Sequence, residues 1–260
     1  MATDPRAVLT RPAPTADSIV HYGGHPDQVA DVRRPAGQGP PRPLVVVIHG
    51  GFWRPEYDRG HTGPLAAALA GLGHPVAQLE YRRGTGGADT LSDVVTGVAA
   101  LPGLVATALG DQLAPGPPIL LGHSAGGQLA LHVAAVAPQA VGGVLALAPV
   151  SDLAEAYRLD LDGGAVAALL GGGPAEFPDR YAAADPRSRL PLRRRVVVLH
   201  GTLDQQVPVA MSRAFVATAQ ATGSEVELVE IDRCEHFALI DPDSAAWPQV
   251  TSALRSLHND

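Results

Sequence analysis

Residues 119–132 constrain this chain more than any other stretch, because an apolar run there leads through a glycine-flanked serine into a helix-forming run. The segment Gly122-His123-Ser124-Ala125-Gly126 fits the pattern G-x-S-x-G. In that pattern a serine sits on a strained turn between a strand and a helix, so that its hydroxyl is presented above a sheet. The pattern alone also arises by chance, for example as a glycine turn in a Rossmann-like layer. The flanking apolar and helical runs favour a nucleophilic serine.

Short apolar runs alternate with helical segments along most of the chain, which is typical of βαβ units. We predict a hairpin at the sheet edge over residues 19–33, followed by a mainly parallel twisted sheet flanked by helices. The later strands are predicted at 44–48, 75–80, 119–121, 141–147, 195–199 and 225–231, and the helices near 59–72, 89–109, 208–222 and 243–258. The fold class is therefore α/β, and a length of 260 residues suits one such domain.

Two segments depart from this alternation. Residues 1–18 are rich in proline, threonine and alanine, and we expect them to form a mobile arm over the surface, outside a single domain at 19–260. Residues 150–192 form an insertion that leaves from the carboxyl end of a central strand. Because open α/β sheets place their ligands at that end, we expect this insertion to act as a lid or cap. A flexible excursion is the alternative.

Composition excludes several classes of partner. The formal net charge is -7 and no basic cluster occurs, which argues against nucleic acid and anionic membranes. Cys234 is the only cysteine, so no intramolecular disulfide can form, and a small apolar filler is its expected role. Neither a signal-peptide pattern nor a run of about 18 apolar residues is evident. We expect a soluble cytoplasmic protein whose partner is a small molecule, with a homodimer left open.

Two loops offer partners for the serine, which is a poor nucleophile until an oriented imidazole takes its proton. Asp204 follows the strand predicted at 195–199, and His236 follows the strand predicted at 225–231. Both loops leave the carboxyl ends of their strands, so both side chains should reach the rim that carries Ser124. Asp152 is a rival acid, because it also follows a strand. Three more carboxylates flank His236 too closely to orient it, namely Asp232, Asp241 and Asp243.

Five other histidines have structural rather than catalytic interpretations. His49 and His123 each precede a turn and should hydrogen-bond the loop backbone, and His200 should be structural. His21 and His25 are four residues apart but lie around a glycine turn rather than on a helix, which disfavours a metal site.

A second turn could stabilise the oxyanion that develops during acyl transfer. The predicted strand at 44–48 runs directly into His49-Gly50-Gly51-Phe52-Trp53, where successive backbone N–H groups can point at one spot. One donor is expected at Ala125 and the other at Gly51 or Phe52. Phe52 and Trp53 should form a wall for an apolar or aromatic acyl group, with an aromatic cap on the core as the alternative. Further candidates for the pocket are Tyr57, Tyr81, Arg82 and Arg83, although the arginines could instead pair with Glu56 or Asp58.

With these motifs, the chain resembles the α/β-hydrolase superfamily from about residue 18 to its end. The His-Gly-Gly-x-Trp turn is similar to that of the branch containing arylformamidases (kynurenine formamidases) and small bacterial carboxylesterases. The resemblance implies that Ser124 is the nucleophile, His236 the general base and acid, and Asp204 its orienting carboxylate. It also implies an oxyanion turn at Gly50, Gly51 and Phe52. The hormone-sensitive-lipase-like branch usually has a third glycine there, so long-chain lipid substrates are less supported.

The predicted function is a serine hydrolase that cleaves small carboxylic esters or N-formyl aryl amides through an acyl-enzyme. No metal or organic cofactor is required. A peptidase is the runner-up, weakened by the lack of a propeller or other size-selecting domain in the sequence. An acyltransferase or cyclase with the same three residues stays open, because transfer and hydrolysis differ in how well the pocket excludes water. A non-catalytic ligand-binding protein is less favoured, because all three catalytic positions are filled.

Overall fold

One eight-stranded sheet organises the computed structural model, which describes residues 4–258. Its strands are β1 (Ser18–His21), β2 (Val29–Arg33), β3 (Val45–Ile48), β4 (Val76–Leu79), β5 (Ile119–His123), β6 (Gly143–Leu147), β7 (Val196–Gly201) and β8 (Val226–Ile231). Across the sheet their order is β1-β2-β4-β3-β5-β6-β7-β8. The hairpin β1–β2 is antiparallel and joins β4 in antiparallel fashion, whereas the other neighbouring strands run parallel. The predicted edge hairpin and mainly parallel sheet are confirmed.

Helices cover both faces of the sheet. They are α1 (Gly63–Gly71), α2 (Gly87–Leu109), α3 (Ala125–Val136), α4 (Leu153–Arg158), α5 (Ala165–Leu170), α6 (Pro178–Ala184), α7 (Val209–Ala221) and α8 (Trp247–Ser256). One apolar core lies between the sheet and α2, α3 and α7, and a second lies between the sheet and α1 and α8. Because the central parallel strands are buried on both faces, their sequences read as continuous apolar runs. The α/β-hydrolase fold class predicted from the sequence is confirmed.

Helix α2 is long and apolar enough, by length and composition alone, to cross a membrane. In this fold its buried positions include Val94, Val98 and Leu101, which belong to the core beside β4 and α3. Its Asp93 is buried as well and accepts hydrogen bonds from the Arg82 guanidinium. The helix therefore packs as an amphipathic core helix.

The N-terminal arm is attached more firmly than the sequence suggested. Asp4 caps a short 3-10 helix, Pro5–Thr10, by accepting a hydrogen bond from the Arg6 backbone. Val8 is only 1% exposed and belongs to the core beside α1 and α8. Arg11 binds both carboxylate oxygens of Asp241, at 2.5 and 2.9 Å, and also reaches Asp243. Residues 4–11 thus pack against the domain, residues 1–3 lie outside the described part, and mobility of the arm stays a prediction.

The insertion at 150–192 folds into α4, α5, α6 and a 3-10 helix, Pro186–Arg189. It is joined to the body of the domain near the predicted oxyanion turn. The Gln128 side-chain amide of α3 donates to the Ala184 carbonyl, and the Arg54 guanidinium binds Asp162 at 2.9 Å. Its action as a lid stays a prediction.

Candidate functional site

Ser124 occupies a tight turn, the elbow, between β5 and α3. Its φ of 57° and ψ of -120° are unfavourable for an L-residue and are held by the surrounding strand and helix. A Cβ atom at Gly126 would lie 2.1 Å from the Ile48 carbonyl oxygen, and one at Gly122 would lie 2.2 Å from the Gly126 carbonyl oxygen. Only glycine fits at these two positions, which is the steric role that the sequence pattern predicted.

Asp204 and His236 come together at the carboxyl ends of β7 and β8. The His236 Nδ1 atom lies 2.6 Å from Oδ2 of Asp204. The other carboxylate oxygen accepts hydrogen bonds from the backbone N–H groups of Gln206 and Val207, each at 2.8 Å. The carboxylate is thus fixed on both oxygens. With its Nδ1–H donated to Asp204, the imidazole keeps the lone pair of Nε2 free to accept a proton.

The charge state of Asp204 suits an orienting role. Burial by itself would raise the pKa of this carboxyl, but hydrogen bonds from His200 and His236 outweigh it and lower the pKa overall. The group therefore stays ionised at neutral pH. His200 is held in turn by Ser212 at 2.7 Å and by the Val207 carbonyl at 2.9 Å, as expected for a structural histidine.

The rival carboxylates are engaged elsewhere. Asp152 caps α4 through the Glu155 backbone and binds the Arg187 guanidinium at 2.5 Å. Asp241 and Asp243 hold Arg11, and Asp232 accepts a 3.4 Å hydrogen bond from Thr202. Among the described residues, Asp204 is the carboxylate that hydrogen-bonds His236.

His123 supports the loop of His236. Its Nε2 lies 3.1 Å from the His236 carbonyl oxygen, and the two rings are 4.4 Å apart. Burial lowers the pKa of His123 well below its usual value, so the ring is neutral. A neutral ring donates to the carbonyl and does not place a second positive charge beside His236 when that residue takes up a proton.

The turn after β3 has an unusual backbone conformation. Gly51, Phe52 and Trp53 have consecutive positive φ values of 103°, 48° and 58°. In the described part of the chain, the backbone N–H groups of Gly51 and Phe52 donate to no other protein group. The N–H of Ala125 opens helix α3, where no intrahelical acceptor exists. These N–H groups are therefore available to a bound group, and a role for them in holding an oxyanion stays a prediction.

Buried side chains hold this turn from beneath. The ring of His49 lies 2.8 Å from the Gly50 carbonyl oxygen and 2.9 Å from the Glu80 carboxylate, which also binds Arg83. The Tyr81 hydroxyl donates to the His49 carbonyl oxygen at 2.8 Å, and the two rings stack 4.4 Å apart.

Two residues predicted to contact substrate lie in the core instead. Tyr81, two residues after the end of β4, is fully buried under the turn, where its hydroxyl donates to the His49 carbonyl oxygen. Trp53 is 4% exposed and donates its indole N–H to Gln128 of α3 at 3.1 Å. Its indole therefore caps the core, which was the alternative interpretation. Arg82 pairs with Asp93 and Asp89, and Arg83 with Glu80, rather than with Glu56 or Asp58.

A small cavity of about 160 Å³ opens at this rim. Ser124, His236, Gly51, Phe52 and Tyr57 all line it, so the structure brings these predicted residues together. The described hydrogen bonds do not include one between Ser124 and His236. Such contacts are often long before substrate binds.

The cavity also has walls that the sequence did not indicate. Its other lining residues are Arg6, Leu9, His61, His123, Asp162, Gln206 and Phe237. The sequence did contain a signal for the short helix in the arm, because Asp4-Pro5 is a typical helix start. A larger groove of about 770 Å³ adjoins the cavity and shares Leu9, Tyr57 and His61 with it. No group of three metal-ligating side chains that could hold an ion occurs in residues 4–258.

Solved structures of esterases share this fold. A truncated carbohydrate esterase from gut microbiota superposes with a TM-score of 0.82 at 16% identity, covering 96% of this chain and 99% of that chain. An esterase of the Planctomycetes species Thermogutta terrifontis, with propionate bound, superposes with a TM-score of 0.72 at 22% identity, covering 92% of each chain. At these identities the likeness shows the fold alone.

Sequence comparison adds a curated relative and a family. A rice protein (Oryza sativa subsp. japonica) named "probable isoprenylcysteine alpha-carbonyl methylesterase" is 28% identical over 269 positions, which cover 93% of this chain. This chain spans 62% of that relative's length. The model of the prolyl oligopeptidase family matches residues 80–249, a range that includes the elbow and both loops that carry Asp204 and His236. Since that match covers more than half of the sequence, the chain belongs to the prolyl oligopeptidase family, which is part of the α/β-hydrolase superfamily.

Proposed function

We propose that the protein cleaves small carboxylic esters, or N-formyl aryl amides, through an acyl-enzyme formed on Ser124. One observation carries this proposal. Ser124, on its strained elbow, and His236, whose imidazole is fixed by the ionised Asp204, line the same cavity. Such an arrangement suits nucleophilic catalysis, because the base is already oriented and loses no further conformational entropy in the reaction.

The proposed reaction follows from these positions. The Ser124 Oγ attacks the carbonyl carbon while its proton passes to Nε2 of His236. The resulting oxyanion is held by the N–H groups of Ala125 and of Gly51 or Phe52. His236 then protonates the leaving oxygen or nitrogen as the carbonyl re-forms. Water attacks the acyl-enzyme, gives its proton to His236, and releases the carboxylic acid and the free serine.

The size of the cavity favours a short acyl group. Its volume of about 160 Å³ is far below the roughly 300–1,000 Å³ of pockets that enclose drug-sized ligands, and close to that of a cavity that holds one benzene ring. Phe52 and Phe237 supply apolar walls. A formyl group, or an acyl chain of up to about four carbons, fits such a space. The adjoining groove can receive the larger leaving group.

A panel of 4-nitrophenyl esters from acetate to octanoate tests this proposal. We expect kcat/KM to be highest for acyl chains of two to four carbons and to fall at least tenfold by eight carbons, because a chain longer than the cavity cannot enter it while its carbonyl carbon reaches Ser124. N-formylkynurenine is assayed beside them to detect formamide cleavage. Equal rates across the panel would contradict the size argument, and absence of turnover on all these substrates would contradict the proposed function.

A peptidase is the second candidate, and the family match favours it. Both reactions use the same nucleophile, base and oxyanion donors. They separate when a prolyl dipeptide 4-nitroanilide is compared with the short esters. We expect the esters to be the better substrates by kcat/KM, since a cavity of about 160 Å³ does not accommodate an extended peptide. Faster cleavage of the anilide would favour the peptidase.

A further inference from the structure

The N-terminal arm forms part of the candidate substrate cavity. Arg6 and Leu9, from the 3-10 helix Pro5–Thr10, line the same cavity as Ser124 and His236. The arm is held there by the buried side chain of Val8, which lies between these two residues in the sequence, and by the pairing of Arg11 with Asp241. Arg6 is therefore placed by a docked segment rather than by a loose end.

The Arg6 side chain is exposed, and in the described part of the chain no carboxylate neutralises its guanidinium. Within residues 4–258, it has no carboxylate partner, and its one assigned contact is with the Phe237 ring, whose centroid lies 5.9 Å away. Phe237 directly follows His236, so this contact directs the guanidinium toward the imidazole side of the cavity.

The other polar groups on the cavity do not neutralise that charge. Asp162 is the acidic residue among the described lining residues, and its carboxylate is already bound by Arg54 at 2.9 Å. His61 and His123 also line the cavity, and burial lowers the pKa of each, that of His61 to about 4. Both rings are neutral at pH 7. Among the described lining residues, Arg6 is thus the one cationic side chain without a carboxylate partner, and apolar walls lie beside it.

We propose that Arg6 is a specificity-determining residue that binds a carboxylate carried by the acyl part of the substrate, so that the preferred substrates are half-esters of short dicarboxylic acids. A guanidinium offers a planar fork of N–H donors that matches a carboxylate. The inference rests on the proposed function, because it concerns the substrate of the same cavity.

The test compares an anionic with a neutral acyl group of equal length, namely mono-4-nitrophenyl succinate and 4-nitrophenyl butyrate. For Arg6→Gln we expect the ratio of kcat/KM for succinate over butyrate to fall about fivefold, as for an ion pair lost at an exposed site. Arg6→Lys should recover part of the ratio. Arg255→Gln, which removes the same charge from α8 outside both cavities, should leave it unchanged.

A second pair, 4-(butyryloxy)benzoate and phenyl butyrate, carries the carboxylate on the leaving group instead. If Arg6→Gln lowered the kcat/KM ratio of anionic over neutral substrate in this second pair alone, the assignment of the carboxylate to the acyl part would be overturned. If Arg6→Gln lowered kcat/KM equally for the succinate and butyrate esters, or for neither, recognition of a carboxylate by Arg6 would be overturned. In these cases the wild-type enzyme still cleaves butyrate. If the wild-type enzyme does not cleave 4-nitrophenyl butyrate, the proposed function is contradicted, and with it the inference that rests on it.

Discussion

Replacing Asp204 by asparagine is expected to lower kcat/KM for 4-nitrophenyl acetate by about 10⁴-fold. The carboxylate accepts the Nδ1–H of His236 at 2.6 Å and fixes the tautomer whose Nε2 can take the serine proton. An asparagine amide that donates to Nδ1 would stabilise the opposite tautomer, in which Nε2 already carries a proton. The imidazole would then be unable to act as a base, and it would lose the negative charge that stabilises its protonated form.

The chain offers matched controls for this substitution. Asp152→Asn and Asp232→Asn change the same functional group in the two rivals that also follow strands. We expect each to alter kcat/KM by less than tenfold, because neither carboxylate hydrogen-bonds His236 in the described structure. Thermal melting of each variant separates loss of catalysis from loss of fold. A larger loss in Asp152→Asn than in Asp204→Asn would show that the acid had been assigned to the wrong strand end.

Replacing Gly126 by alanine is expected to lower the free energy of unfolding by about 3 kcal/mol or more. The added methyl group would lie 2.1 Å from the Ile48 carbonyl oxygen and 2.4 Å from that of His49. Both oxygens belong to the backbone at the end of β3, so no side-chain rotation relieves the clash. Either α3 or the oxyanion turn must move, and esterase activity should be lost with the fold. Urea unfolding, followed by circular dichroism, measures the change.

Gly103→Ala is the control for this second prediction. Gly103 lies on an exposed part of α2, and a Cβ there would meet nothing within 4 Å. Alanine is the better helix former, so this variant should be more stable than the wild type by about 0.5–1 kcal/mol. If Gly126→Ala unfolded at the same urea concentration as the wild type, the close approach of strand and helix at the elbow would be refuted.

The elements and their order were predictable because local patterns specify them. Buried parallel strands such as β3 and β7 give continuous runs of valine, isoleucine and leucine, which stand out from the flanking helices. The elbow was predictable for a related reason. Two backbone segments meet at Gly122 and Gly126 at distances that exclude every other residue, so the steric need appears directly in the sequence.

The positions of individual side chains around the cavity were harder to predict. Trp53 and Tyr81 lie beside the functional motifs in the sequence, yet both point into the core, because their partners Gln128 and His49 come from other elements. Arg6 was missed for the same reason. Its place depends on the burial of Val8 and on an ion pair between residues 230 positions apart, Arg11 and Asp241. No local pattern encodes contacts of that kind.

Covalent labelling with a fluorophosphonate tests the central claim most directly, since the account depends on Ser124 being an activated nucleophile. The intact mass of the wild-type protein should rise by one adduct, and peptide mapping should place the adduct on Ser124. The Ser124→Ala variant should remain unlabelled while it keeps the wild-type melting temperature. A label on any other residue, or an equal extent of labelling in Ser124→Ala, would contradict the account.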